Sequence, residues 1–124
     1  MSRPEWWPAH LELVDGRRRS VPAEQGTLFV VMLRNGVGVE VTRRGGPPAT
    51  VALTDAGRLQ LVDILQRPGT HETSVETIAG VLGVLVTPTG AVIRTDEPDH
   101  SVSVCLTTAG RVELVAALAR IEDQ

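Results

Sequence analysis

The residues with the most chemistry to offer are two arginines at matched positions. Arg58 and Arg111 each follow Thr-x-Ala-Gly, in Thr54-Asp-Ala-Gly-Arg58 and Thr107-Thr-Ala-Gly-Arg111. Thr54 and Thr107 suit helix N-caps, where a side-chain oxygen accepts from an otherwise unpaired N–H. An arginine in the turn that follows sets a cation near the positive end of the helix dipole. It calls for a counter-charge: an acid of the chain, backbone carbonyls, or a bound anion. A second basic group is Arg17-Arg18-Arg19 with Arg34, Arg43 and Arg44. Placed in loops around one hairpin, these could form an edge that tracks phosphates, or be solvated loop charge. Trp6-Trp7 could be a knob for stacking or partner binding, or could fold down over the rim of the core.

Other reactive side chains lack the company that their chemistry needs. His100 follows Asp96, Glu97 and Asp99, but the spacing matches neither a zinc pattern nor a calcium loop, so a plain turn is expected. His10 and His71 are isolated. Cys105 is the one cysteine, so no intrachain disulfide can form. Flanked by Val104 and Leu106, it is expected as a small buried hydrophobe rather than a nucleophile. Gly36-Val-Gly38 precedes a strand, not a helix, so it is no dinucleotide loop. Gly-x-Ser-x-Gly, His-Glu-x-x-His and a phosphate loop are missing from the sequence. No catalytic residue, metal ligand or cofactor is expected, and the sequence reads as non-enzymatic.

The two Thr-x-Ala-Gly-Arg stretches belong to a longer repeat. Residues 51–65 laid over 104–118 match at nine of fifteen positions, where ordinary composition gives roughly one. Before each stretch lie strands and turns. His10–Val14 alternates as a short strand, and Arg17–Gly26 is read as loop. Thr27–Arg34 is a continuous apolar run, the mark of a strand buried on both faces. Asn35-Gly36 is a hairpin turn signal. Val37–Arg43 and Ala49–Thr54 follow as strands, around a Gly- and Pro-rich loop. A helix then runs to about residue 66, with Leu61, Val62 and Leu65 inward. In the second half Ser74–Ala79, Val81–Thr87, Ala91–Thr95 and Ser101–Leu106 are strands, with Gly80 and Gly83 blurring a boundary. A last helix runs to about residue 122, with Leu114, Val115, Leu118 and Ile121 inward. Gly57 and Gly110 sit in the first helical turns, where glycine costs about 1 kcal/mol against alanine. Close approach of each helix to a strand, or to its twin helix, is the simplest reason to keep them. The expected fold is α+β: one domain over residues 1–124, a tandem duplication of a ββββα unit with antiparallel sheets, one helix per unit and a pseudo-twofold relation. Unit one covers about 10–66, a linker 67–72, and unit two about 73–122.

Composition narrows the function classes. The apolar share of 42% is that of a folded globular chain. With two Trp, one Phe and no Tyr, the core must be aliphatic. Net charge is −3, which opposes broad attraction to nucleic acid or anionic membrane. All twelve bases are Arg. Residues 1–66 hold eight Arg and seven acids, residues 67–124 four and eight, so an anion-binding face would lie on the first half. No apolar run approaches membrane-spanning length and the N-terminus lacks a signal-peptide core, so a cytoplasmic protein with no membrane partner is expected.

Strands followed by a helix, given twice, with the basic loop Arg43-Arg-Gly-Gly leading to a strand that ends Ala52-Leu-Thr54, resemble Pur-alpha repeats and the PC4-type and Whirly single-strand-binding folds. The resemblance implies single-stranded nucleic acid bound on a sheet face. Three functions are therefore open: a binding module for a protein partner or for its own second copy, which leads; a single-stranded nucleic acid binder using the Arg-rich edge; and a small-anion binder or enzyme at the Thr-x-Ala-Gly-Arg helix starts.

Overall fold

The computed structural model describes residues 6, 7, 13–34 and 36–119, with side chains given for Trp6, Trp7 and from residue 18 onward. Among these residues the chain forms nine strands and two helices. Their order is β1 (Leu13–Ala23), β2 (Gly26–Leu33), β3 (Gly36–Arg43), β4 (Pro48–Leu53), α1 (Asp55–Gln66), β5 (His71–Val75), β6 (Thr77–Ala79), β7 (Val81–Thr87), β8 (Gly90–Asp96), β9 (Ser101–Thr107) and α2 (Thr108–Ala119). Two antiparallel sheets result, β1-β2-β3-β4-β6 and β5-β7-β8-β9. The fold is α+β.

The stretch 17–23 is strand rather than loop. There β1 pairs with β2 from Arg18↔Val31 to Ala23↔Gly26, with an irregularity between Leu13 and Arg18, and Val21 turns into the core. Pro22, which cannot donate to a ladder, is tolerated on this outermost strand. The hairpin closes through Glu24-Gln25, with Gln25 at φ 59°, a turn with no glycine at its two central positions. The next hairpin pairs Leu33 with Gly36, so Gly36 opens β3 instead of sitting inside the turn. A Cβ there would lie 2.8 Å from the Leu53 carbonyl oxygen.

Glu76 breaks the expected strand 74–79 in two. β5 pairs with β7, whereas β6 pairs with β4, so the chain changes sheet at that residue. On the opposite flank the Glu24 N–H donates to the Cys105 carbonyl at 2.8 Å, joining β1 to β9. The expected linker is shorter than 67–72, because β5 already begins at His71.

Between the inner faces lies one aliphatic core that includes Leu28, Val39, Val51 and Leu53 from the first sheet and Leu82, Val84, Ile93 and Leu106 from the second. Leu61 and Leu65 of α1 and Leu114 and Leu118 of α2 complete it. Val62 and Val115 pack at its margin rather than within it, and Ile121 lies outside the described residues. Thr54 Oγ1 accepts from the Gly57 N–H at 2.9 Å, and Thr107 Oγ1 from the Gly110 N–H at 3.1 Å. Each helix start presses on backbone of the other half, α1 on the break between β5 and β6 and α2 on β1. A Cβ on Gly57 would stand 1.9 Å from the Glu76 carbonyl oxygen, and one on Gly110 2.5 Å from that of Pro22. Only glycine permits such contact, so its helix penalty is outweighed. No helix among the described residues is long and apolar enough to cross a membrane.

Candidate functional site

The matched arginines are committed to different tasks. Arg58 is buried. Its Nε and Nη2 donate to Asp55 Oδ1 at 3.2 and 3.0 Å, and its Nη1 to the Leu118 carbonyl at 3.1 Å. The cation set against its own helix dipole is thus offset by an acid of the same turn and by the negative end of α2. Arg111 instead donates from Nη1 to the carbonyls of Thr87 and Gly90, at 2.9 and 3.3 Å, clamping the β7–β8 hairpin. The two guanidiniums do not meet.

Nor do the other arginines gather into one edge. Arg17 lies in β1, and its side chain is outside the described atoms. Arg18 and Arg19 are successive strand residues, so they point to opposite faces. Arg18 lies over the Phe29 ring, 3.7 Å from its centroid, and its Nη2 reaches Glu40 Oε1 at 2.6 Å. Arg34 sits in the turn before β3, whereas Arg43 ends that strand and Arg44 follows it. Eight strand residues separate those ends by roughly 25 Å.

Trp6 and Trp7 fold onto the chain. Trp7 is buried in a small cluster with Leu33, Ala52 and Ala79, which covers part of the outer face of the first sheet. Trp6 packs edge-on against it, with ring centroids 5.6 Å apart. The Trp6 indole N–H donates to Glu97 Oε1 at 3.2 Å, and Glu97 Oε2 accepts from the Thr50 N–H at 2.8 Å. His100 Nε2 lies 2.9 Å from the Pro48 carbonyl. The acidic loop 96–100 therefore fastens the tryptophans and the second sheet to β4.

Cys105 corrects the expectation of burial: it is exposed. Along β9, Val102, Val104 and Leu106 face the core, while Ser101, Ser103, Cys105 and Thr107 face outward. The register runs Glu72↔Leu85↔Val92↔Cys105 in one row and Ser74↔Gly83↔Arg94↔Ser103 in the next. Together these form the outer face of the second sheet. A groove of about 350 Å³ crosses it, lined by Ser74, Gly83, Leu85, Val92, Arg94 and Ser103 among others. That size falls within the range of ligand pockets. The Arg94 side chain is 56% exposed, with Nε 3.2 Å from Asp96 Oδ2, and it extends over Gly83.

The first sheet has a corresponding row, Ser20↔Phe29↔Glu40↔Thr50. Here a ring stands in the place that the Arg94 guanidinium takes over Gly83 on the second sheet. Phe29 stands where the second sheet has Gly83, and Glu40 is buried beneath Arg18. The backbone does not impose glycine at 83, where a Cβ would be 3.5 Å from Arg94 Nη2, an ordinary contact. The outer face of the second sheet is thus an apolar centre, Leu85 and Val92, edged by a guanidinium, hydroxyls and Glu72. Sequence reasoning passed over it. The available signals were the glycine inside an apolar strand run and the polar alternation of β9.

Among the described residues, no group of three or more His, Cys, Asp or Glu could hold a metal ion. No protein-family model matches the chain, and no curated protein matches it either.

Proposed function

We propose that this protein is a non-catalytic binding module for a protein partner, and that its contact surface is the outer face of the second sheet. The observation that carries the reading is the contrast between two like surfaces. Trp7 and the Phe29–Arg18–Glu40 stack cover one, whereas Leu85, Val92 and Cys105 on the other stay accessible. Half-buried aliphatic residues within a rim of charge and hydroxyl groups suit a protein interface. The acid and carbonyl partners of Arg58 and Arg111 favour this reading over an anion bound at the helix starts.

We also propose that the two halves are copies of one ββββα unit related by a pseudo-twofold axis. Support comes from contacts that recur at matched positions. Gly36 and Gly90 each abut the carbonyl of a leucine in the strand that precedes the helix, Leu53 in β4 and Leu106 in β9. Gly57 and Gly110 each abut a carbonyl in the opposite half, at Glu76 and Pro22. In this reading the ancestral outer face was kept twice, closed in one copy and left open for binding in the other.

The test uses Cys105 as the attachment point for a photo-crosslinker, in cells that express the protein. A single-partner adduct is expected, lost in Leu85→Asp and in Val92→Asp and retained when an exposed first-sheet residue, Thr27, is changed to Asp. An adduct pattern indifferent to Leu85 and Val92, or no adduct, overturns the assignment.

A further inference from the structure

A strand at the end of a sheet carries a row of unpaired N–H and C=O groups that another chain can pair with. Three of the four sheet ends are guarded against this. β1 carries Arg17-Arg18-Arg19 and Pro22, and its register is broken. β6 has only three residues. β9 is met by the Glu24 N–H at the Cys105 carbonyl. β5 has none of these devices. Its five residues, His71-Glu-Thr-Ser-Val75, hold neither proline nor glycine and pair with β7 in unbroken register. Among the described residues no backbone bond reaches β5 from its other side. Glu72 and Ser74 are exposed, and Thr73 is half-buried. We infer that β5 is a self-pairing edge: two copies of this chain join antiparallel through β5, about a twofold axis at Thr73, and merge two four-stranded sheets into one of eight.

Charge selects both the occupant and the register. Three registers keep the outer faces of the two copies on one side, because paired residues in a sheet share a face. Centred on Glu72, the two Glu72 carboxylates stand directly opposite each other, and like charges so placed are destabilising. Centred on Ser74, Glu72 faces the partner's Glu76, again acid against acid. Centred on Thr73, all five residues pair: His71 with the partner's Val75, Glu72 with the partner's Ser74, and Thr73 with its own copy. The row Ser103–Arg94–Gly83–Ser74 then continues into the partner's Glu72. The Arg94 guanidinium lies over Gly83, on the side of its own strand that leads to β5. Asp96 holds it by Nε. It thus leans toward the incoming carboxylate across Ser74, a small residue whose hydroxyl can donate to that carboxylate. Within its own chain Glu72 faces Leu85 in a different row. The twofold makes each contact twice.

This dimer goes beyond the contact surface proposed above and does not depend on it. Cys105 lies three strands from β5, about 14 Å, so its crosslinking and the dimer test read different places. The full chain is followed by sedimentation equilibrium over a concentration series, and a reversible dimer is expected. Glu72→Arg should weaken it about tenfold, since two contacts are lost, and Glu72→Arg/Arg94→Glu should recover most of that loss. Paired residues of antiparallel strands lie within disulfide range. Thr73→Cys/Cys105→Ser should therefore oxidise to a covalent dimer, whereas His71→Cys/Cys105→Ser, whose thiols lie far from the axis, should not. A monomer at every concentration, with no crosslink at position 73, overturns the inference and leaves β5 to a strand of some other protein or to none. A dimer indifferent to Glu72→Arg, or equal crosslinking at 71 and 73, overturns it as well. If the dimer fails while the Cys105 adduct persists, the outer-face assignment stands alone.

Discussion

The outer faces of the two sheets share a strand register but differ in what lies on them. On the first, Trp7 seals Leu33, Ala52 and Ala79, and Arg18 closes over Phe29 and Glu40. On the second, Cys105 and Val92 face solvent beside a groove floored by Gly83. Ala52 and Cys105 occupy matched columns of the sequence repeat, yet one is fully buried and the other exposed. The lesson is that a sheet's inner face is set by the core, which both halves share, while its outer face is free to diverge. A covered outer face adds stability, and an uncovered one is available for contact.

The contrast can be broken most forcefully at Trp7. Trp7→Ala should cost about 3 kcal/mol, measured by chemical denaturation, because it empties a buried cluster. Leu85→Ala on the open face should cost under about 1 kcal/mol. Equal losses would mean that the two faces are equally covered.

Glycines give the next largest separation. Gly57→Ala and Gly110→Ala each drive a methyl group into a carbonyl of the opposite half and should cost about 2 kcal/mol. Gly83→Ala, with room for a methyl group, should stay within about 0.5 kcal/mol of the parent. Thermal melts distinguish these, since the first two should lower Tm by several degrees.

The arginines sharpen the comparison further. Arg58→Gln removes a buried guanidinium that bridges Asp55 to the end of α2 and should cost about 2 kcal/mol. Arg94→Gln loses one ion pair at the rim, to a partly buried Asp96, and should change stability by under about 1 kcal/mol. The smallest effect is expected with nucleic acid. The arginines are dispersed and the net charge is −3, so anisotropy with labelled single-stranded DNA or RNA should show no salt-sensitive binding. Tight, salt-sensitive binding would restore the sheet-face reading implied by the single-strand-binding resemblance.

Much of this contrast was written in the sequence. The unbroken run Leu28–Leu33 marked a strand covered on both sides, and the alternation Ser101-Val-Ser-Val-Cys105 marked one covered on a single side. That same alternation set Cys105 outward, but local apolar neighbours suggested burial, and tertiary register decided otherwise. The Thr-capped helices and their close-packed glycines were legible because capping and steric cost are local. β1 was not, because Arg17–Arg19 resemble loop charge and Glu24-Gln25 lacks the residues that usually signal a tight turn. The sheet change at Glu76 was also hidden, since it depends on the approach of Gly57 from a different element. The open groove involves four strands, and only their mutual register brings Gly83 beside Arg94.

Thiol labelling offers the most direct comparison of the two faces. Cys105 of the parent chain should react with an aromatic disulfide at about the rate of a free exposed thiol, independent of protein concentration. In Ala52→Cys/Cys105→Ser, the single thiol beneath Trp7 should react about a hundredfold more slowly, limited by local opening. Slow labelling of Cys105 in the dilute parent protein, or fast labelling at position 52, would contradict the assignment of one closed and one open face.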